Sequence, residues 1–150
     1  MTIPNIPDNH LTKHIEKLIS LCKKLDARDY NEYNDAFIFN PAATVEEIEL
    51  WESKNNVKIP SSCKDWLLFS NGSKMCNSMV ELYSLDNFIV DNSEKPYNVP
   101  DEYVIIGSLT TSEKLYGFSS LTGKYMIFWD YEDIEVDEFE EILEDIMDVI

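Results

Sequence analysis

The chain has 150 residues, of which 44% are hydrophobic and 12% aromatic, and its 12 basic and 29 acidic residues give a net charge of −17. This length and apolar content predict one folded domain, residues 1–150, that needs no metal or disulfide to hold its core together. The charge argues against nucleic acid and anionic membranes as partners, because binding to either depends on Lys and Arg meeting phosphates.

The cysteines and the first residues bear on the compartment. Cys22, Cys63 and Cys76 are odd in number and lack a C-x-x-C spacing, which favours unpaired thiols in a reducing cytoplasm. The opening segment MTIPNIPDNH has no basic region and no long apolar run, and no stretch of 18 apolar residues occurs. We therefore expect no signal peptide and no membrane span.

The first 42 residues predict a helix followed by a loop. A helix of about 15 residues should follow Pro7–Asn9 and bury one apolar face. That face consists of Leu11, Ile15, Leu18, Ile19 and Cys22. The polar and aromatic stretch from Asp29 to Asn40 predicts a loop with a short strand at Phe37–Phe39.

The central stretch from Thr44 to Gly72 predicts two short helices joined by an extended link. Thr44 and Glu47 have the spacing of a capping box, in which the Thr hydroxyl and the Glu carboxylate each accept a terminal backbone N–H. Val45, Ile48 and Trp51 then form the apolar face of the first helix. Pro60 keeps Ile59 extended. Cys63, Trp66 and Leu67 form the second apolar face, and Asn71-Gly72 should end that helix.

The second half of the chain predicts strands and a closing helix. Val80–Leu85 and Tyr103–Ser108 have strand composition, and the long connection 86–100 between them is predicted to be mobile. A turn at Gly123 joins Leu115–Phe118 to Lys124–Asp130 as a hairpin. The second arm is apolar on both faces, so it should be covered on both sides. Val136–Ile150 has the period of an amphipathic helix.

This order of segments, together with the motif at Ile59, Pro60, Trp66, Asn71 and Gly72, resembles the SUKH superfamily, which is named partly for a yeast cell-wall synthesis regulator. The resemblance covers residues 43–150. It implies an α+β single domain, with a mostly antiparallel sheet of about four to six strands packed against three to four helices. Many bacterial members of that superfamily are immunity proteins that neutralise a cognate toxin. The motif residues imply a fold and no active site.

Residue types that carry catalysis or bind metals do not form a recognisable constellation. His10 and His14 have the i, i+4 spacing of a metal pair, but only Asp8 lies near them in sequence as a third ligand. The cysteines have no activating neighbour, and the glycines lack a phosphate-binding pattern. We expect no metal, no cofactor and no enzymatic activity.

The acidic C-terminus is the strongest candidate for a binding face. Residues 125–150 contain eleven acidic residues and no basic one. The like-charge pairs Asp137–Glu141, Glu140–Glu144, Glu141–Asp145 and Glu144–Asp148 are four residues apart, and each should cost about 0.2–0.5 kcal/mol in a helix. Repulsion without visible compensation suggests either a functional surface or simply a solubilising one.

These observations lead to one hypothesis and one alternative. The first is a non-enzymatic, cytoplasmic immunity protein, a monomer or a weak dimer, that occludes the active site of a cognate basic nuclease toxin domain. The alternative is a regulatory scaffold that binds a host protein in cell-wall or signalling control. Beyond the 86–100 loop, the predicted contact residues are Tyr97, Tyr103, Glu132, Asp133, Asp137, Glu141, Glu144 and Asp148.

Overall fold

The computed structural model describes residues 1–96, 98–130 and 132–150. Within these ranges the chain forms four α-helices and a seven-stranded antiparallel sheet, which confirms the predicted α+β class. The helices are α1 (Thr12–Asp29), α2 (Val45–Asn55), α3 (Ser61–Leu67) and α4 (Phe139–Val149). The strands are β1 (Ile38–Phe39), β2 (Ser73–Met75), β3 (Val80–Leu82), β4 (Tyr103–Leu109), β5 (Lys114–Ser119), β6 (Tyr125–Trp129) and β7 (Glu132–Val136).

The sheet is a meander in which each strand pairs with the next one along the chain. The predicted strands correspond to β1, β3, β4, β5 and β6, whereas β2 and β7 were not predicted. β7 contains three acidic residues in five and has little intrinsic strand preference. It forms because it pairs along its whole length with β6, from Trp129↔Glu132 to Tyr125↔Val136. The final helix therefore begins at Phe139 and not at the predicted Val136.

All four helices contribute to one hydrophobic core on one face of the sheet. Trp66 of α3 lies near the centre of this core, is 2% exposed, and stacks on Phe139 with 5.8 Å between ring centroids. A smaller cluster of Val99, Ile105 and Phe128 covers part of the opposite face, which we call the outer face. Over the described residues, no helix is both long enough and apolar enough to cross a membrane.

Local hydrogen bonds in the central stretch differ from the predicted caps. The Thr44 hydroxyl accepts the Glu47 N–H at 3.1 Å as predicted, but the Glu47 carboxylate meets that hydroxyl and not the Thr44 N–H. α3 ends at Leu67, four residues before Asn71. Asn71 instead accepts the Leu85 N–H at 2.9 Å through Oδ1, so it joins the end of α3 to the segment after β3. The motif residue Asn71 is thus a long-range connector.

The 86–100 connection is held by contacts at several points, although it contains no long strand. Ile89 pairs with Ile105 of β4, and Phe88 and Val99 are buried. A 3₁₀ turn at Asn92–Glu94 is capped by Asp91, whose Oδ1 accepts the Ser93 N–H at 2.9 Å. The segment up to residue 94 therefore presents a defined surface beside α2.

Candidate protein-binding surfaces

The structure divides the predicted contact residues between two faces of the sheet. Glu132 and Asp133 lie in β7, and Asp137 lies in the link between β7 and α4. Glu141, Glu144 and Asp148 lie on α4, on the helix-covered face. Tyr103 begins β4 and lies on the outer face. Tyr97 lies outside the described residues. The edge strand β7 is the boundary where these two groups of acidic residues meet.

Asp145 is compensated by a cation that the sequence analysis did not associate with it. Lys114 of β5 is 8% exposed, and its Nζ lies 3.0 and 3.2 Å from the two Asp145 carboxylate oxygens. The Tyr116 hydroxyl donates to Asp145 Oδ2 at 2.8 Å, and the Lys114 ammonium also lies 4.9 Å from the centre of the Trp129 ring. Burial and the Asp145 carboxylate together raise the pKa of Tyr116. Asp145 thus serves the packing of α4 on the sheet.

Further acidic residues of the C-terminal block also have partners. Glu141 Oε2 accepts the backbone N–H groups of Asp137 at 2.9 Å and Glu138 at 3.2 Å, at the positive end of the helix dipole. Asp137 precedes α4, so its predicted repulsion with Glu141 inside the helix does not occur. Glu144 lies 3.0 Å from His14 Nε2 of α1. The expectation of uncompensated repulsion is therefore wrong for Asp145 and for the pair Asp137–Glu141, whereas the pairs Glu140–Glu144 and Glu144–Asp148 lie within α4 as predicted.

A second basic residue, Lys124, compensates Glu135 and Asp137. Lys124 Nζ lies 3.2 Å from Glu135 and 3.7 Å from Asp137, and both carboxylates raise the pKa of Lys124, with the Glu135 hydrogen bond as the largest cause. Lys124 directly precedes β6, and the antiparallel pairing of β6 with β7 brings these groups together. Glu132 and Asp133 at the far end of β7 are exposed, as is Asp148 on α4.

Tyr103 and the β7 acids form an acidic surface on the outer face. The Tyr103 ring packs edge-on against Phe128, with 5.2 Å between centroids. Burial is the main cause that raises the pKa of Tyr103, and the carboxylates of Glu102, Glu135 and Asp133 raise it further. We call Glu102, Tyr103, Met126, Asp133 and Glu135 the outer patch. Two of its members, Tyr103 and Asp133, were predicted as contacts, and pairing of β6 with β7 brings Asp133 opposite Phe128.

Gly117 of β5 allows the two aromatic rings of the outer face to meet. Tyr103 and Phe128 lie on strands to either side of β5, which would separate them if it carried a side chain between them. A Cβ at Gly117 would lie 3.4 Å from Phe128 Cε2 and 2.8 Å from the Val104 carbonyl oxygen. Without that Cβ, the Phe128 ring can lie against the Gly117 backbone, and Tyr103 packs on that ring while staying partly exposed.

A groove between α2 and residues 85–94 was not predicted. We call it the α2 groove; its volume is about 420 Å³. Its floor contains Trp51 and Phe88, whose ring centroids lie 5.5 Å apart in an edge-to-face contact. Leu50 stands beside them and is 70% exposed. The rim carries four carboxylates and one ammonium group, from Glu47, Asp86, Asp91, Glu94 and Lys54.

One sequence signal does point to this groove. Leu50 is an apolar residue on the polar side of the α2 pattern, off the face formed by Ile48 and Trp51. A lone exposed Leu is common on protein surfaces and carries little information by itself. Its position against an aromatic floor depends on where residues 85–94 pass, and only the fold supplies that.

The thiols are poorly suited to nucleophilic chemistry. Burial raises the pKa of Cys22 to about 12, and it also raises the pKa values of Cys63 and Cys76. The reactive form of a cysteine is the thiolate, so these three side chains stay protonated near neutral pH. In the described ranges, no three His, Cys, Asp or Glu side chains come together as a possible metal site, and His14 contacts Glu144.

Most of the chain matches one known protein family. The sequence model of the SMI1 / KNR4 family (SUKH-1) matches residues 42–148. The matched region runs from just before α2 to the last turn of α4 and includes the α2 groove and the outer patch, while α1 precedes it. No curated protein matches the chain.

Proposed function

The chain belongs to the SMI1 / KNR4 family (SUKH-1), and from this premise we propose that it is a non-enzymatic immunity protein that binds and neutralises a cognate basic nuclease toxin domain. The proposed mechanism is steric: the bound protein covers the groove through which the toxin grips nucleic acid phosphates. Nuclease sites carry Lys and Arg for that purpose, so an acidic inhibitor is electrostatically complementary to them.

The observation that carries this proposal is the outer patch. It places a partly exposed aromatic ring, Tyr103, among the carboxylates of Glu102, Asp133 and Glu135. Tyrosine is enriched among the residues that dominate binding energy, because its ring buries a large area and its hydroxyl forms a hydrogen bond. An aromatic anchor surrounded by acids is the surface that a Lys- or Arg-rich protein site would complement.

The exposed acids of β7 extend this surface around the edge of the sheet. Glu132 lies on the helix-covered side of β7 and Asp133 on the outer side, as their pairing with Trp129 and Phe128 shows. A partner at this edge would also approach Glu144 and Asp148 of α4. Asp137 and Glu141 lie between them, and Glu141 has the additional role of capping α4. The net charge of −17 would increase the rate of encounter with a basic partner by about 10- to 1,000-fold at low salt.

Neutralisation of a toxin tests the proposal directly. The genes beside the one for this chain are searched for a large secreted protein with a C-terminal toxin domain. That domain is purified, and its nuclease activity is measured with and without an equimolar amount of the protein. We expect stoichiometric inhibition. No inhibition and no complex would contradict the proposal, and a complex with a host regulatory protein in its place would favour the scaffold alternative.

Two variants test the surface. Tyr103→Ala should raise the Kd for the toxin at least about 30-fold, as for a central aromatic anchor. Glu132→Gln/Asp133→Asn should slow association and reduce its dependence on salt over about 50–300 mM, where screening becomes strong. The matched control is Glu16→Gln/Glu32→Gln, which makes the same charge change at exposed positions on α1 and the following loop. If the control variant slows association as much as Glu132→Gln/Asp133→Asn does, the effect comes from the net charge of the whole molecule and not from the two β7 side chains.

A further inference from the structure

The α2 groove combines an aromatic floor with a charged rim. Trp51 and Phe88 give it an aromatic floor, and Leu50 adds an exposed aliphatic side chain along one wall. Trp51 and Phe88 are themselves only 8% and 9% exposed, so Leu50 is the most exposed apolar side chain of the groove. With about 420 Å³ of space, the groove can accept one large aliphatic side chain and the backbone on either side of it.

The walls of the groove are held in place before any partner arrives. Asn71 accepts the Leu85 N–H at 2.9 Å, which ties residues 85–94 to the end of α3. Asp91 is fixed by the Ser93 N–H and hydroxyl at 2.9 and 2.8 Å. Ile89 pairs with β4 just below. A preformed site loses little conformational entropy on binding, which favours affinity from a small contact area.

The charges on the rim select the occupant. Four carboxylates surround the apolar floor, and Lys54 is the one basic group among the lining residues that the structure describes. Asp86 and Glu94 face the groove from the 85–94 side, and Glu47 faces it from α2. An acidic peptide or a nucleic acid would be repelled, whereas Lys or Arg side chains that flank an apolar residue would meet carboxylates on both walls.

The geometry points to a second binding site: the α2 groove binds an extended segment of a partner protein in which Lys or Arg residues flank one aliphatic side chain. The aliphatic side chain packs against Trp51, Phe88 and Leu50, and the basic side chains reach the rim. The site is formed by α2 and residues 85–94 and shares no residue with the outer patch. It therefore goes beyond the proposed toxin surface and does not depend on it.

A synthetic peptide tests this inference. The probe is fluorescein-Gly-Lys-Arg-Leu-Arg-Lys-Gly, with binding measured by fluorescence anisotropy. Replacing its leucine by serine keeps the charge and removes the apolar anchor. We expect the serine peptide to bind at least about 5-fold more weakly, as for a residue worth more than 1 kcal/mol. A version of the probe in which glutamate replaces each lysine and arginine should not bind to the parent protein.

Protein variants locate the binding. Leu50→Ser should weaken the leucine peptide about 5-fold and leave the serine peptide nearly unaffected. Asp86→Asn/Glu94→Gln should weaken both peptides about 10-fold, as for two exposed ion pairs. The matched controls are Leu121→Ser, at a hairpin tip where Leu121 is 79% exposed, and Glu16→Gln/Glu32→Gln. Both controls should bind like the parent, and so should Tyr103→Ala.

Each remaining outcome contradicts the inference. If the charge controls weaken binding as much as Asp86→Asn/Glu94→Gln, the peptide follows the net charge and not the groove. Equal affinity for the leucine and serine peptides would show that the apolar floor is not used, and absence of binding would exclude this occupant. In an NMR titration the Trp51 indole N–H signal should shift and that of Trp129 should not. Toxin inhibition is measured in a separate assay, so a failure of the α2-groove proposal can be distinguished from a failure of the toxin proposal.

Discussion

Replacing Asp145 by alanine should destabilise the protein by about 3 kcal/mol, because it leaves the Lys114 ammonium in the core without an anionic partner. Lys114 Nζ lies 3.0 Å from Asp145 Oδ1, and the Tyr116 hydroxyl donates to Asp145 Oδ2. These contacts join β5 to α4. Another neighbour of the ammonium is the Trp129 ring at 4.9 Å, which attracts a cation but cannot accept its hydrogen bonds as a carboxylate does.

The magnitude follows from the burial of the two groups. Breaking a buried ion pair by removing one partner costs about 3–5 kcal/mol. The Asp145 side chain keeps 22% of its exposure and the Lys114 side chain 9%, so water partly replaces the lost carboxylate and the lower limit applies. At about 2–4 °C per kcal/mol for a chain of this size, the Tm should fall by about 6–12 °C. Lys114→Met should cost less, about 1–2 kcal/mol, because its alkyl chain still packs on Trp129 and Asp145 keeps the Tyr116 hydrogen bond.

Urea and thermal unfolding of the parent and the four variants decide the question. Asp148→Ala is the matched control, since Asp148 is an exposed acid one turn further along α4. Its loss should change stability by no more than about 0.5 kcal/mol. In the double variant Lys114→Met/Asp145→Ala the two effects should be clearly less than additive. If Asp145→Ala and Asp148→Ala melt within about 2 °C of each other and the cycle is additive, the acids of α4 are equivalent and the inferred role of Asp145 is wrong.

Three further predictions concern the core and the sheet. Trp66→Ala should cost about 3–5 kcal/mol by leaving a cavity against Phe139, and a thermal melt close to the parent's would contradict the packing of α3. Gly107→Ala should destabilise by more than about 1 kcal/mol, since its Cβ would lie 2.7 Å from the Glu81 carbonyl oxygen, and chemical denaturation checks this. Burial raises the pKa values of Tyr116 and Tyr125 above the ordinary value of 10.0, so the unfolded chain releases protons that the folded one retains. The contribution of these two tyrosines to stability should therefore be constant below about pH 10 and fall above it, and phenolate absorbance should show two tyrosines that ionise only on unfolding.

The acidic C-terminus has basic neighbours in the fold that its sequence does not show. Read along the chain, residues 125–150 form a block of eleven acids without a base. In the fold, Lys114, Lys124 and His14 approach that block from β5, the β5–β6 turn and α1. The repulsion is therefore not a reliable sign of function at Asp145. The acids that are exposed on β7 carry more of the argument for binding, together with Tyr103.

Local sequence patterns determined most of the elements. Apolar residues at helical spacing predicted α1, α2, α3 and α4, because the face that a helix buries depends on a period of 3.6 residues within one segment. Alternating and β-branched residues predicted β4 and the β5–β6 hairpin for the same reason. These signals lie within about ten residues of each other, so they can be recognised without knowledge of the fold. They were also sufficient for the α+β class and the family.

The tertiary structure decided what depends on residues distant in sequence. β7 is a strand only because β6 offers it hydrogen-bond partners, and the acids in EDIEV predict nothing of the kind. The hydrogen bond from Leu85 N–H to Asn71 spans 14 positions and forms one wall of the α2 groove. Tyr103 and Asp133 share the outer face because Tyr103 contacts Phe128, and Phe128 pairs with Asp133 across β6 and β7. Periodicity reports which face of an element is buried, whereas the partner of a charge and the shape of a groove depend on how elements pack together, and the pattern within one segment does not contain that information.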